Sequence, residues 1–142
     1  MHCPVCQDEG PLELAEANEV TVETVAVAVE RRPVVACPAQ HTTTPREVVR
    51  AAMAAVEDQI VQARGRLLRR DVCQGCATPL TMPVRRTTWS VTVEGDAQRP
   101  VLTLHFDLPA VRCTSCGMEQ VPSRSQEDLV VAVPAVFSPP RS

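Results

Sequence analysis

Two short segments, CQGC at residues 73–76 and CTSC at residues 113–116, decide how this sequence is interpreted. In each, two residues separate the cysteines, so a tight turn directs both sulfur atoms to one point, and two such turns complete a tetrahedral metal site. This spacing predicts one zinc ion held by four thiolates, those of Cys73, Cys76, Cys113 and Cys116. Iron in a rubredoxin-like site is the alternative metal. A redox dithiol is disfavoured, because a strand and loop, rather than a helix, are expected after the first pair.

A second set of ligands is predicted near the N-terminus, where CPVC occupies residues 3–6 and CPAQH occupies residues 37–41. The predicted ligands of this second zinc ion are Cys3, Cys6, Cys37 and His41. His2 is a weaker alternative to the histidine of this set, because its position next to a ligand makes the geometry awkward. Four protein ligands leave no position for water, so both zinc ions are predicted to be structural rather than catalytic.

Length and composition agree with metal-stabilised folding. The chain has 142 residues, seven cysteines and a net charge of -3, and all 14 of its basic residues are arginine. Units of about 70 residues bury too little apolar surface to be secure without a metal, a disulfide or a partner. The odd cysteine count argues against a disulfide framework. Since the sequence shows no signal-peptide pattern and no long apolar stretch, we expect a cytoplasmic protein.

Alternating patterns predict short antiparallel strands between the cysteine pairs. The segment EVTVETVAVAVE (19–30) changes phase near Thr24, which indicates a bulge or bend, and Trp89 and Phe106 are expected to pack together. The predicted fold is a small, metal-stabilised α+β protein with tandem zinc ribbons joined by a long helix. The predicted units are a first ribbon at 1–44, a linking helix at 45–70, a second ribbon at 71–124, and a short helix with a flexible tail at 125–142.

The linking helix is predicted to begin at Thr44 as N-cap, followed by Pro45 and by Glu47 in a capping box. Its apolar residues follow a heptad spacing: Val49, Met53, Val56, Ile60, Ala63 and Leu67. This seam either packs on the protein's own sheets or pairs with a second copy or a partner. The arginines at its end contact phosphate or an acidic partner, or form a solvated helix end. The residues assigned to partner binding are Val49, Met53, Val56, Ile60, Arg66, Arg69 and Arg70.

The order of motifs suggests an internal duplication. Cysteine pairs recur at offsets of 70 and 76 residues, and the segment from Ser125 resembles the segment from Thr44 at an offset of 81. The hypothesis is a repeated unit of cysteine pair, sheet, cysteine pair and helix. In the second unit, Pro134 is expected to truncate the helix. His105 is expected on the surface rather than in a metal site.

The motifs resemble those of the YgiT-type zinc-finger family, the N-terminal metal domain of MqsA-like antitoxins. The opening CPVC (3–6) is similar to the first half of the family motif, and CTSCGME (113–119) is similar to the second half. In the family, a glycine follows the first cysteine pair, whereas this sequence has Gln7 and Ala77, and His41 replaces a cysteine. The resemblance implies metal binding and protein contact. It does not imply operator binding, because no helix-turn-helix is recognisable.

Three function classes follow from these features. The favoured hypothesis is a non-enzymatic zinc-binding adaptor or antitoxin-like module that binds another protein through the acidic first ribbon, the 45–70 helix or both, or that binds a second copy through this helix. The alternative is a nucleic-acid-binding or transcription-associated ribbon that uses an arginine set: Arg64, Arg66, Arg69, Arg70, Arg85 and Arg86. The acidic balance and the scarcity of aromatic residues disfavour it. An enzyme is disfavoured because the metal sites are closed and no nucleophile-base pair is evident.

Overall fold

The structure is a computed structural model that describes residues 2–7, 9–35, 37–39, 43–63, 71–80, 84–96 and 100–138. Within these residues the chain forms a small α+β protein with antiparallel sheets and two helices. Its elements are β1 (Leu12–Leu14), β2 (Asn18–Val22), β3 (Val25–Val29), β4 (Pro33–Val35), α1 (Arg46–Gln59), β5 (Arg85–Val93), β6 (Leu102–Arg112), β7 (Glu119–Gln120) and α2 (Ser123–Val136).

The main sheet combines strands from both predicted ribbons. Its order is β2-β3-β6-β5, with β7 paired to the end of β6, and a separate two-stranded sheet joins β1 to β4. The central contact is antiparallel and aligns Val27 of β3 with Phe106 of β6. Tandem ribbons joined by a helix would keep these strands apart. The two strands pair instead because both carry a continuous row of inward apolar residues, which one shared core buries more completely.

Every second residue along β3 and most of β6 is apolar, and these residues form the buried face of this sheet. Val25, Val27 and Val29 of β3 are buried, as is every second residue of β6 from Leu102 to Leu108. The phase change near Thr24 is a tight turn between β2 and β3, with Glu23 at a φ of 49°. Trp89 lies opposite Phe106 in the β5–β6 register, so this predicted pair is confirmed. The opposite face carries small and polar residues and remains exposed.

Helix α1 is shorter than predicted. It ends at Gln59, and Ile60 is extended with a φ of -93° and a ψ of 114°. From there the chain runs beside residue 121, where the Ala63 N–H donates to the Val121 carbonyl and the Val121 N–H donates to the Val61 carbonyl. The predicted helix over 45–70 is therefore wrong over residues 60–63, because backbone groups of this segment pair with Val121 instead of continuing the helix. Residues 64–70 lie outside the described residues.

The start of α1 also differs from its prediction. Pro45 is the N-cap residue, and no side chain caps the helix. The buried hydroxyl of Thr44 donates instead to the Phe137 carbonyl, 3.2 Å away at the end of α2. The predicted cap at Thr44 is thus replaced by a long-range contact. That contact gives a second donor to a helix-end carbonyl that also accepts a hydrogen bond from Arg32.

Both helices cover the buried face of the sheet and lie antiparallel to each other. The side chains of α2 pack on β2 and β3, whereas α1 packs on β5. The carbonyls at the C-terminal end of α2 accept hydrogen bonds from buried Arg32 (to Phe137, 3.1 Å) and from Asn18 (to Val136, 2.9 Å). Helix α2 continues through Pro134 to Val136. The truncation predicted at Pro134 is wrong, since a proline in the last turn removes only one intrahelical hydrogen bond.

In each half of the chain, strands are followed by one helix: β1–β4 precede α1, and β5–β7 precede α2. The helices begin at Arg46 and Ser123, an offset of 77 residues, the difference between 123 and 46. At this offset, the buried residues Val48, Ala52, Val56 and Ile60 correspond to Ser125, Leu129, Val133 and Phe137. The offset of 81 suggested by the sequence is therefore corrected to 77. It also follows that each helix packs on the hairpin of the other half.

Candidate metal centres and helical surface

Four cysteine sulfur atoms from the second half of the chain converge at one end of the main sheet. The first pair lies in the turn after residue 72, and the second pair lies between β6 and β7. The sulfurs of Cys73, Cys76, Cys113 and Cys116 all lie within 4.8 Å of one another. The Cys73–Cys116 and Cys76–Cys113 sulfur pairs are 3.4 and 3.6 Å apart. We call this cluster the four-cysteine site.

The geometry fits a tetrahedral metal ion. Four sulfurs at about 2.3 Å from a zinc ion are about 3.8 Å from one another, close to the distances above. A disulfide requires about 2.05 Å. None of the seven cysteines, all of which lie in the described part of the chain, forms a disulfide. The cluster could therefore hold a metal ion, as predicted, and the donor set of four thiolates suits zinc or iron.

Hydrogen bonds to sulfur favour thiolates in this site. Burial raises the pKa of Cys73, but the backbone N–H groups of Cys76 and Gly75 and the side chain of Gln120 lower it, to about 6 overall. The Met118 backbone lowers the pKa of Cys116, but its cysteine neighbours and burial raise it to about 12. The crowded thiols thus resist complete ionisation by themselves. A divalent cation removes this repulsion between thiolates.

Gln120 is the supporting residue that the sequence analysis did not identify. It is fully buried in β7, and its Nε2 donates to the Cys73 sulfur at 3.2 Å. Its Oε1 accepts from the Gln74 N–H at 2.7 Å, so one side chain connects the two cysteine turns. Hydrogen bonds of this kind orient metal ligands. Sequence spacing does not mark such a residue, because only the register of β7 turns it toward the sulfur.

The residue after each described cysteine pair adopts a left-handed backbone. Gln7, Ala77 and Gly117 have φ values of 65°, 60° and 77°. In each turn the N–H of this residue donates to the carbonyl of the first cysteine, at 2.9 Å. The glycine expected from the family motif is therefore replaced at Gln7 and Ala77 without a change of turn geometry. Such replacements cost roughly 1 kcal/mol each for a non-glycine residue.

The first half of the chain brings three cysteines together. The sulfurs of Cys3, Cys6 and Cys37 lie within 4.8 Å of one another, at the end of the β1–β4 sheet. The Cys6 and Val5 backbone N–H groups lower the pKa of Cys3 to about 6, and burial opposes them. We call this cluster the three-cysteine site. The predicted fourth ligand, His41, lies outside the described residues, and His2 is not a member of the cluster.

The predicted partner-binding residues are divided between the core and the surface. Val56 and Ile60 are buried in the core, and Val49 and Met53 are partly buried against it. The seam therefore packs largely on the protein's own sheet. Arg66, Arg69 and Arg70 lie outside the described residues. Of the other arginines proposed to contact phosphate, Arg86 is ion-paired with Asp107 at 2.8 Å.

A groove separates the C-terminal half of α1 from the N-terminal half of α2. Its volume is about 640 Å³. Buried Val56, Ile60 and Leu129 form part of its floor, and Val61 and Val130 lie on its walls. Val130 is 60 % exposed, which is high for an aliphatic side chain on a helix. Three carboxylates also line the groove, those of Glu57, Asp58 and Glu127. We call the exposed sides of both helices, including this groove, the helical surface.

The structure also places a serine, a histidine and a carboxylate together on the exposed face of the sheet. The Ser90 Oγ is 3.0 Å from the His105 Nδ1, and the His105 Nε2 is 3.1 Å from the Glu30 carboxylate. Sequence analysis missed this contact, because it depends on the β5–β6 register. The His105 side chain is 43 % exposed and that of Glu30 is 77 % exposed. Water therefore reaches all three groups, and the arrangement is that of a surface hydrogen-bond chain.

Comparisons with known proteins found no relative of this chain. No protein-family model, curated protein or solved structure matches the chain. Neither of the described helices has the length and apolar character needed to cross a membrane.

Proposed function

We propose that this protein is a non-enzymatic, zinc-stabilised adaptor that binds protein through its helical surface. The observation that carries the proposal is the groove between α1 and α2, whose apolar floor and exposed Val130 adjoin the N-terminal end of α2. Apolar side chains exposed beside a concave groove are a common feature of protein-binding surfaces.

The metal centres support this proposal as scaffolding. Four thiolates close the coordination sphere of the four-cysteine site, which is the pattern of structural zinc. Next to this site, the Asp71 carboxylate accepts hydrogen bonds from the Ser123 N–H (3.0 Å) and the Ser123 hydroxyl (2.6 Å) at the start of α2. Zinc binding thereby fixes one wall of the groove. His41 is proposed as the fourth ligand of the three-cysteine site, where the spacing after Cys37 places an imidazole.

The resemblance to YgiT-type antitoxin domains supports the same class of function, since it implies a metal domain that contacts a protein. Within the described residues both helices belong to one core with the sheet. The proposal therefore assigns them to protein contact and not to operator recognition. The arginine set gives less support to nucleic-acid binding, because Arg86 is already paired with Asp107.

The test is capture of a partner from nuclease-treated native lysate by the zinc-loaded chain. The wild-type chain is expected to recover a stoichiometric protein, and Val130→Glu is expected to lose it because a carboxylate then occupies the apolar wall. Val101→Glu is the matched control, since Val101 is 66 % exposed in the loop before β6, outside the helices. Recovery of no protein, or equal recovery by all three chains, contradicts the proposal.

A further inference from the structure

Helix α1 carries an exposed row of side chains with a distinct order of charge. Arg46, Arg50, Ala54 and Glu57 follow one another at spacings of three or four residues and are all exposed, so they lie along one side of the helix. The row is basic at its N-terminal end and acidic at its C-terminal end, and its centre is a small residue. We call it the charged row of α1.

This order of charge is unfavourable for an isolated helix. The N-terminus of a helix carries partial positive charge and its C-terminus partial negative charge. At the positive end, Glu47 in the first turn favours the dipole and Arg46 opposes it, whereas Glu57 and Asp58 lie in the last turn, where no basic residue is present. The acidic last turn thus opposes the dipole, so the position of Glu57 does not serve the stability of α1 itself.

Nothing in the described part of the chain neutralises these charges. Arg50, Glu57 and the neighbouring Glu127 form no ion pair there, although Arg32 and Arg86 do. Apolar residues lie beside the row, on the side of α1 that faces α2. The groove described above includes exposed Val130, and a second cavity of about 310 Å³ lies near Arg50, Val49 and Pro134.

We propose that the helical surface binds a second copy of this chain, with α1 antiparallel to α1 of the partner subunit. A row that is basic at one end and acidic at the other is complementary to itself when one copy is reversed. Arg50 then faces Glu57 of the partner subunit, and the reciprocal contact forms by symmetry, because a twofold interface repeats every contact. Ala54 lies near the middle of this pair, where a small side chain permits close approach. This inference rests on the proposed function, and it identifies a second copy of the chain as a protein that binds the helical surface.

The experiment is sedimentation velocity on the full, zinc-loaded chain across a concentration series. The wild type is expected to form dimers that dissociate as salt is added, because exposed ion pairs are screened. Arg50→Glu and Glu57→Arg each replace two attractions by two repulsions, and each is expected to weaken the dimer by at least about tenfold. The double variant Arg50→Glu/Glu57→Arg restores opposite charges and is expected to recover dimerisation. Zinc content and circular dichroism check that each variant is folded.

Two outcomes overturn the inference. One is a wild type that stays monomeric at its highest soluble concentration. The other is a dimer that neither single charge reversal weakens or that the double variant does not rescue. Val130→Glu is expected to weaken the dimer and Val101→Glu to leave it unchanged, which separates loss of the surface from loss of solubility. If the wild type is monomeric but still captures a partner protein through Val130, the dimer inference is wrong and the proposed function is retained.

Discussion

The two halves of this chain share one plan but differ in how their metal centres are supported. Each half has a cysteine pair, an antiparallel hairpin, further ligands and a helix of 14 residues. In the second half, four cysteines converge and buried Gln120 connects the two turns. In the first half, three cysteines converge beside the short β1–β4 sheet. A similar order of motifs therefore brings cysteines together in both halves, whereas the residues that support each site depend on its own neighbours.

The halves also depend on each other, because each helix covers the hairpin of the other half. Loss of one metal centre should therefore destabilise more than the half that contains it. The strength of this coupling, and its direction, can be measured with variants that affect one half at a time.

The largest effect is expected from Cys113→Ser, which removes a buried ligand of the four-cysteine site. Structural zinc contributes on the order of 10 kcal/mol of apparent binding free energy, so the variant should lose the cooperative unfolding transition of the shared core. Mass spectrometry under native conditions should show one zinc ion fewer per chain. The matched variant Cys37→Ser should lose the other ion and unfold less of the chain, since Cys37 is only partly buried. Wild-type zinc content in Cys113→Ser would contradict the site.

A smaller loss is expected from Arg32→Leu, which tests the contact between the halves. Arg32 is fully buried, and its guanidinium donates to the Phe137 carbonyl of the second half and to the Glu16 carboxylate of the first at 2.7 Å. Removing it takes away one of the two hydrogen bonds to the buried Phe137 carbonyl, which keeps the bond from Thr44, and also the ion pair with Glu16, so it should cost about 1–2 kcal/mol of unfolding free energy. Urea unfolding measures this. An exposed control, Arg31→Leu, should stay near the wild type.

The Arg32 contact also predicts a dependence on pH. The Arg32 side chain lowers the pKa of Glu16, and the folded-state value therefore lies below the unfolded one. Its stabilising contribution is complete above the unfolded pKa and is lost as the pH falls through the folded pKa. The wild type should thus lose part of its stability on acidification, and Glu16→Gln should lose less over the same range. Identical pH profiles for the two chains would show that the ion pair contributes nothing.

A more local effect is expected from Gln120→Leu, which keeps the fold but removes the hydrogen bond to Cys73. Loss of such a supporting bond commonly weakens metal binding by about 10-fold or more. Competition with a chromophoric chelator should show faster zinc release from the four-cysteine site and an unchanged rate from the three-cysteine site. Equal release rates in the variant and the wild type would assign Gln120 to packing alone.

The smallest effects are expected from substitutions at two of the left-handed residues, Ala77 and Gly117. Ala77→Gly relieves the unfavourable backbone and should stabilise the chain by roughly 0.5 kcal/mol, because the gain is offset by greater freedom of glycine in the unfolded state. Gly117→Ala introduces the same strain and should destabilise by about 1 kcal/mol. Thermal unfolding with both zinc ions bound measures both changes. Destabilisation by Ala77→Gly would show that the turn does not strain Ala77.

Local signals predicted much of the metal centres and of the secondary structure. Spacing alone identified the four cysteines that converge in the four-cysteine site, and the change of alternation near Thr24 located a turn. The ends of the helices were less predictable. A capping motif at Thr44 is a local signal, but its hydroxyl contacts Phe137, 93 residues away. The heptad seam beyond Gln59 fails for a similar reason, because a helix and a buried extended segment can share the same apolar spacing.

The sequence by itself determined which cysteines share each turn and which face of each strand is apolar. These properties depend on residues close to one another, whose spacing is fixed by the covalent chain. Only the tertiary structure decided that the two halves share one sheet, that each helix packs on the hairpin of the other half, and that Gln120 contacts Cys73. Those contacts join residues distant in sequence, and their selection depends on the burial of one common apolar core, which no local pattern specifies.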